Sequence, residues 1–129
     1  MNATTILVLD DEPFIRMNLA TYLEDEGFRV LEAATAEHAL QLLESHAVSL
    51  VVVDLRLPGI DGASFIRFAK MKDDALQFII HTGSLEYRLE ENLKALGLKA
   101  GDIFCKPVKD MVLMNQAIVE RLLPRLEFV

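Results

Sequence analysis

Leu50-Val51-Val52-Val53-Asp54-Leu55-Arg56-Leu57-Pro58-Gly59-Ile60-Asp61-Gly62 decides how this chain reads. A leucine and three valines in a row show no polar alternation, which marks a strand buried on both faces. An aspartate follows at once, and then two turn signals, Pro58-Gly59 and Asp61-Gly62. The pattern recurs outward from this stretch. Ile6-Leu7-Val8-Leu9 runs into Asp10-Asp11, Phe78-Ile79-Ile80 into Thr82, and Asp102-Ile103-Phe104-Cys105 into Lys106. In an open parallel sheet the carboxyl ends of the strands border the crevice where ligands bind. Acids, a hydroxyl and an ammonium from distant parts of the chain are therefore expected in one place.

Helical spacing fills the gaps between these runs. Pro13 suits a helix first turn, and Ile15, Leu19, Tyr22 and Leu23 continue it until Gly27. Residues 28–31 read as a second strand. Thr35 is the expected N-cap of a helix with Ala36, Ala39, Leu40 and Leu43 inward. A third helix is expected over 63–71, with Phe65, Ile66 and Ala69 facing the core. Residues 77–81 predict a fourth strand, 86–96 a fourth helix ending near Gly97, and 102–105 a short fifth strand. The last helix is expected over 108–123, its Met111, Met114, Ile118 and Leu122 stripe reading as core. Pro124 disfavours continuation, leaving 124–129 as a tail. Five β-α units in succession predict an α/β fold, a parallel sheet with five helices on its two faces.

The chain has 129 residues, which suits one domain over 1–129. No apolar stretch approaches the roughly 20 residues of a membrane span, and no secretion signal is recognisable. The single cysteine, Cys105, forbids an intrachain disulfide and fits the cytoplasm. It reads as a small buried apolar group. A net charge of −7 disfavours direct binding of nucleic acid.

Asp10, Asp11 and Asp54 brought together would repel one another unless a cation intervenes. Mg²⁺ is the natural solution, held by carboxylates, water and a phosphate oxygen. Thr82 and Lys106 suit a phosphoryl group, to which they offer a hydrogen bond and an opposing charge. An aspartate can accept phosphoryl and form an acyl phosphate. Glu12 adds acidity, though the helix starting at Pro13 is expected to turn its side chain to solvent. His81 is expected to point away from the site. A glycine-rich dinucleotide turn after the first strand and a P-loop are both absent.

Val8-Leu9-Asp10-Asp11-Glu12, the Asp54–Gly62 stretch, His81-Thr82-Gly83 and Lys106-Pro107 together resemble the receiver domain of bacterial two-component response regulators. The resemblance spans nearly the whole chain. It implies a flavodoxin-like, doubly wound five-stranded sheet of order 2-1-3-4-5. It implies Asp54 as phosphoacceptor and Asp10, Asp11, Asp54 and the Arg56 backbone carbonyl as the Mg²⁺ site. Thr82 and Lys106 would contact the phosphoryl group, and a cis Lys106-Pro107 bond would orient the lysine. The implied partners are a sensor histidine kinase or phosphotransfer protein and a downstream target or output domain, with a phosphorylation-linked homodimer among the outputs. Such a domain is a signalling switch rather than an enzyme in the usual sense.

Thr82 and Ile103 are the expected switch positions. The family usually has an aromatic where Ile103 stands, and strand alternation sends the neighbouring Phe104 to the other face. The segment from Thr82 to Lys106 is longer than is usual, and Gly83 replaces the commoner alanine. The alternative reading is a constitutive protein-interaction module that keeps the site without the aromatic switch.

Overall fold

The computed structural model describes residues 4–83, 94–106, 108 and 110–126. The chain runs β1 (Thr5–Leu9), α1 (Pro13–Asp25), β2 (Arg29–Ala33), α2 (Ala36–Ser45), β3 (Leu50–Val53), α3 (Gly62–Lys72) and β4 (Gln77–Thr82). A 3₁₀ turn (Ala100–Asp102), β5 (Ile103–Cys105) and α4 (Met111–Leu126) complete it. All strand pairs are parallel, and the sheet order is β2-β1-β3-β4-β5. This is the flavodoxin-like α/β arrangement expected from the alternating pattern. Four α-helices are assigned in full among the described residues. The helix expected over 86–96 lies largely outside them, although Lys94 and Ala95 are helical.

Strand alternation divides the core into two layers. Leu7, Leu9, Val51, Val53, Phe78 and Ile80 face one way and pack with Ala36 and Ala39 of α2 and Phe65, Ile66 and Ala69 of α3. Ile6, Val8, Leu50, Val52 and Ile79 face the other way and meet Leu19 and Leu23 of α1 and Met114, Ile118 and Leu122 of α4. β1 and β3 are therefore apolar on both faces, which is why their sequences show no period of two. Burial of this kind contributes about 25 cal/mol per Å² of apolar surface and is what holds the helices to the sheet.

Local chemistry sets the helix starts. Pro13 opens α1, where its missing N–H costs nothing. Thr35 Oγ1 accepts the His38 N–H at 3.1 Å, and Asp61 Oδ1 accepts the Ser64 N–H at 2.8 Å. Gly27 takes a φ of 98° just after α1, and Gly59 one of 74° in the turn after β3.

Three expectations need correction. Asp102 ends the 3₁₀ turn instead of opening β5. Its carboxylate is drawn away from the strand by Arg121 Nε at 2.8 Å and the Lys99 N–H at 2.9 Å. The last helix runs through Pro124 to Leu126. A proline there removes one intrahelical bond, and three preceding turns keep the backbone helical. Cys105 is exposed, because it ends a three-residue strand at the sheet edge.

Candidate functional site

β1 and β3 lie side by side in the middle of the sheet, with Leu9 opposite Val53. Their next residues, Asp10 and Asp54, thus emerge together at the carboxyl edge. The Asp54 N–H donates to the Leu9 carbonyl at 2.9 Å, and the Asp10 N–H to Ala33 at 3.1 Å. Both carboxylates are buried, at 2% and 3% residue exposure. Asp10 Oδ1 accepts the Glu12 N–H at 2.9 Å, and Asp54 Oδ1 accepts the Arg56 N–H at 3.0 Å. Each acid has one oxygen fixed by its own loop, which leaves the other for chemistry.

Lys106 supplies the opposing charge. Its Nζ lies 2.8 Å from Asp10 Oδ2, 2.9 Å from Glu12 Oε1 and 2.9 Å from Asp54 Oδ2. The lysine side chain is 7% exposed. Burial works against its charge, but the hydrogen bonds to Asp10, Asp54 and Glu12 outweigh burial and hold its pKa above the ordinary lysine value. The Lys106 N–H also donates to the Thr82 carbonyl at 2.7 Å, which ties the start of its loop to β4.

The structure thus gathers Asp10, Asp11, Asp54 and Lys106, and it adds Glu12. One oxygen from each of Asp10, Asp11, Glu12 and Asp54 fits within a 4.8 Å cluster. Hard carboxylate oxygens in this number suit Mg²⁺ or a similar cation. A lysine ammonium drawn in among three of them shows how strongly the spot attracts positive charge. Arg56 has its side chain outward and its backbone beside Asp54. Thr82 is buried at the end of β4. Ile103 is half-buried against the α2/α3 layer and Phe104 against the α1/α4 layer, so the two do face oppositely. Pro107 lies outside the described residues, and with it the expected cis peptide.

Glu12 faces solvent as expected, at 56% exposure, and in addition reaches Lys106. Its signal in the sequence was only its place directly after two aspartates. Gly62 is a second residue whose role goes beyond a turn. A Cβ there would fall 2.4 Å from the Asp54 carbonyl oxygen. Arg16 is a third. Its Nη1 donates to the Asp10 carbonyl at 2.8 Å while its Nε donates to Glu32 at 3.2 Å. His81 faces the α1/α4 side, buried, with both ring nitrogens unpartnered. Burial, helped by the Lys106 charge, pushes its pKa down to about 4.

Parallel strands in this order, with an acid and lysine centre at their carboxyl edge, define a flavodoxin-like domain with its site at the topological switch point. The chain belongs to the response regulator receiver domain family, which it matches over residues 6–118. It is a receiver domain of the two-component signalling class. It is 37% identical over 119 residues to the transcriptional regulatory protein AruR of Pseudomonas aeruginosa, covering 87% of this chain and 47% of that protein. It is 32% identical over 102 residues to the sporulation initiation phosphotransferase F of Bacillus subtilis, covering 79% of this chain and 81% of that one. The chain spans about half the length, or less, of the response regulator GtcR and of AruR, 41% and 47%.

Solved structures agree. The response regulator TrrA of Thermotoga maritima, in complex with Mg²⁺ and BeF, superposes with a TM-score of 0.80 at 28% identity, over 92% of this chain and 99% of that one. A CheY-like receiver domain protein of Methanospirillum hungatei gives 0.81 at 27% identity, over 98% and 99%. No helix among the described residues is long and apolar enough to cross a membrane.

Proposed function

We infer that Asp54 accepts a phosphoryl group from a histidine kinase or phosphotransfer partner in the cytoplasm, and that the modification switches a protein-interaction surface. One observation carries the reading: Lys106 Nζ sits 2.9 Å from Asp54 Oδ2 inside a four-carboxylate cluster at the sheet's carboxyl edge. A carboxylate so placed has a cation beside it to offset charge on an incoming phosphoryl group. An oxygen of Asp54 attacks phosphorus, the bond to the donor nitrogen breaks, and an acyl phosphate forms on Asp54. Catalysis of such transfers is mostly positioning and charge stabilisation.

Asp10, Asp11, Asp54 and the Arg56 carbonyl are the proposed Mg²⁺ holders. The cation, when bound, would offset the negative charge that develops during the transfer. Lys106 orients the phosphoryl group through its ammonium, and Thr82 through its hydroxyl at the end of β4. Thr82 and Ile103, linked through neighbouring strands β4 and β5, form the start of the route to the output surface. Output domain, target and any homodimer belong to that same proposal. Membership of the response regulator receiver family favours this reading over a constitutive interaction module.

Acetyl phosphate with Mg²⁺ tests it by intact mass. The chain is expected to gain one phosphoryl group and Asp54→Asn none. An unmodified wild-type chain, or an equal gain in the variant, overturns the reading.

A further inference from the structure

Of the three carboxylates on Lys106, Glu12 alone is neither a proposed Mg²⁺ holder nor the phosphoacceptor. Asp10 and Asp54 are buried and belong to the metal cluster, and Asp54 also takes the phosphoryl group. Glu12 Oε1 nevertheless holds the ammonium at 2.9 Å, no farther than Asp54 does. The Lys106 ammonium is thereby engaged by three carboxylates at once, by hydrogen bonds to Glu12 and Asp54 and an ion pair with Asp10. A phosphoryl oxygen arriving at Asp54 has to take the place of one of them.

Glu12 is the partner most easily displaced. Its backbone is pinned: its N–H donates to Asp10 Oδ1 at 2.9 Å, and its carbonyl accepts the Arg16 N–H at 3.0 Å. Only its side chain is free to swing, and at 56% exposure it can trade the ammonium for water at little cost. Lys106, 7% exposed, has no such freedom.

We propose that Glu12 is a positioning residue that holds the Lys106 ammonium and competes with an incoming phosphoryl group for it. The proposal rests on Asp54 as phosphoacceptor. Its consequences for the two ligands have opposite signs. Glu12 belongs to the acidic cluster, so its charge attracts a divalent cation. The same charge repels an anion at Asp54 and withholds the lysine from it.

Calorimetric titrations of the whole chain separate the two effects. MgCl₂ is titrated alone, then beryllofluoride at saturating Mg²⁺, for wild type, Glu12→Gln and Glu12→Asp. Glu12→Gln is expected to weaken Mg²⁺ binding about threefold to tenfold and to tighten beryllofluoride binding by a similar factor, as one nearby partly screened charge allows. Glu12→Asp keeps the charge on a stem one methylene shorter. It is expected to bind Mg²⁺ like wild type and beryllofluoride more tightly. Unchanged constants in Glu12→Gln overturn the proposal, and so does a parallel loss of both ligands, which marks simple damage to the site. Should Glu12→Gln fail to fold, a beryllofluoride constant in Glu12→Asp equal to that of wild type overturns it as well. A wild-type chain that binds neither ligand overturns the phosphoacceptor reading itself.

Discussion

Gly62 packs directly on Asp54: a Cβ at Gly62 would lie 2.4 Å from the Asp54 carbonyl oxygen and 2.7 Å from the Leu55 Cα. The Gly62 N–H also donates to the Leu55 carbonyl at 3.2 Å. The first residue of α3 is thus pressed against the loop that carries the candidate phosphoacceptor. Both clashing groups are backbone, which cannot rotate out of the way.

Gly62→Ala is therefore expected to destabilise the domain by about 2–3 kcal/mol, the usual cost of overpacking. It also displaces Asp54, so Mg²⁺ binding weakens along with stability. Urea unfolding and a Mg²⁺ titration on the same variant check both. A variant with wild-type values would mean that α3 shifts freely.

Lys106→Met removes the charge that holds Asp10 and Asp54 together. Two buried carboxylates are left facing each other, and the loss expected in metal-free buffer is about 3 kcal/mol. Mg²⁺ replaces the missing cation, so millimolar Mg²⁺ is expected to restore much of that loss in the variant and less in wild type. Paired denaturant curves with EDTA and with Mg²⁺ measure the difference.

His81 gives the domain an acid-sensitive limb. The unfolded imidazole titrates near the ordinary 6.5, the folded one at about 4. Between those values the unfolded chain binds more protons, so stability falls as pH drops from 6.5 to 4 and this contribution levels off below. His81→Leu removes the limb. The variant is expected to gain on wild type by about 1–2 kcal/mol at pH 5 relative to pH 8, read as the difference between two urea series. Equal differences at the two pH values would show that the ring titrates in the fold as it does in the unfolded chain.

Asp102 and Arg121 join the start of β5 to α4 at the end of the sheet away from the site. Arg121 donates from Nε to Oδ1 at 2.8 Å and from Nη2 to Oδ2, and Nη2 also reaches the Gly97 carbonyl at 3.0 Å. Asp102 is 4% exposed. Arg121→Met strands this carboxylate and is expected to cost about 3 kcal/mol, whereas the double change with Asp102→Leu is expected to cost much less. A double-mutant cycle in urea gives the coupling directly.

Much of this was legible in the chain. β3 was read at its observed bounds because a run of valines admits few alternatives, and α1 began at Pro13 because proline is preorganised for a first helical turn. The edges were less legible. Asp102 looked like the first residue of a strand until Arg121, nineteen positions away, claimed its side chain. Cys105 looked buried because small apolar residues usually are, and only its place on the outermost strand exposes it.

Local sequence determined which residues form strands and helices, and that four of the five strands lead into a residue able to do chemistry, since propensity, capping and hydrophobic period are properties of neighbours along the chain. The tertiary structure decided who meets whom. Lys106 reaches Glu12 across a separation of 94 residues, and Gly62 reaches Asp54 only because α3 folds back on β3. Hydrogen bonds and close packing act over a few ångströms, so contacts between distant segments depend on the order of the strands and the layers of helices that cover them.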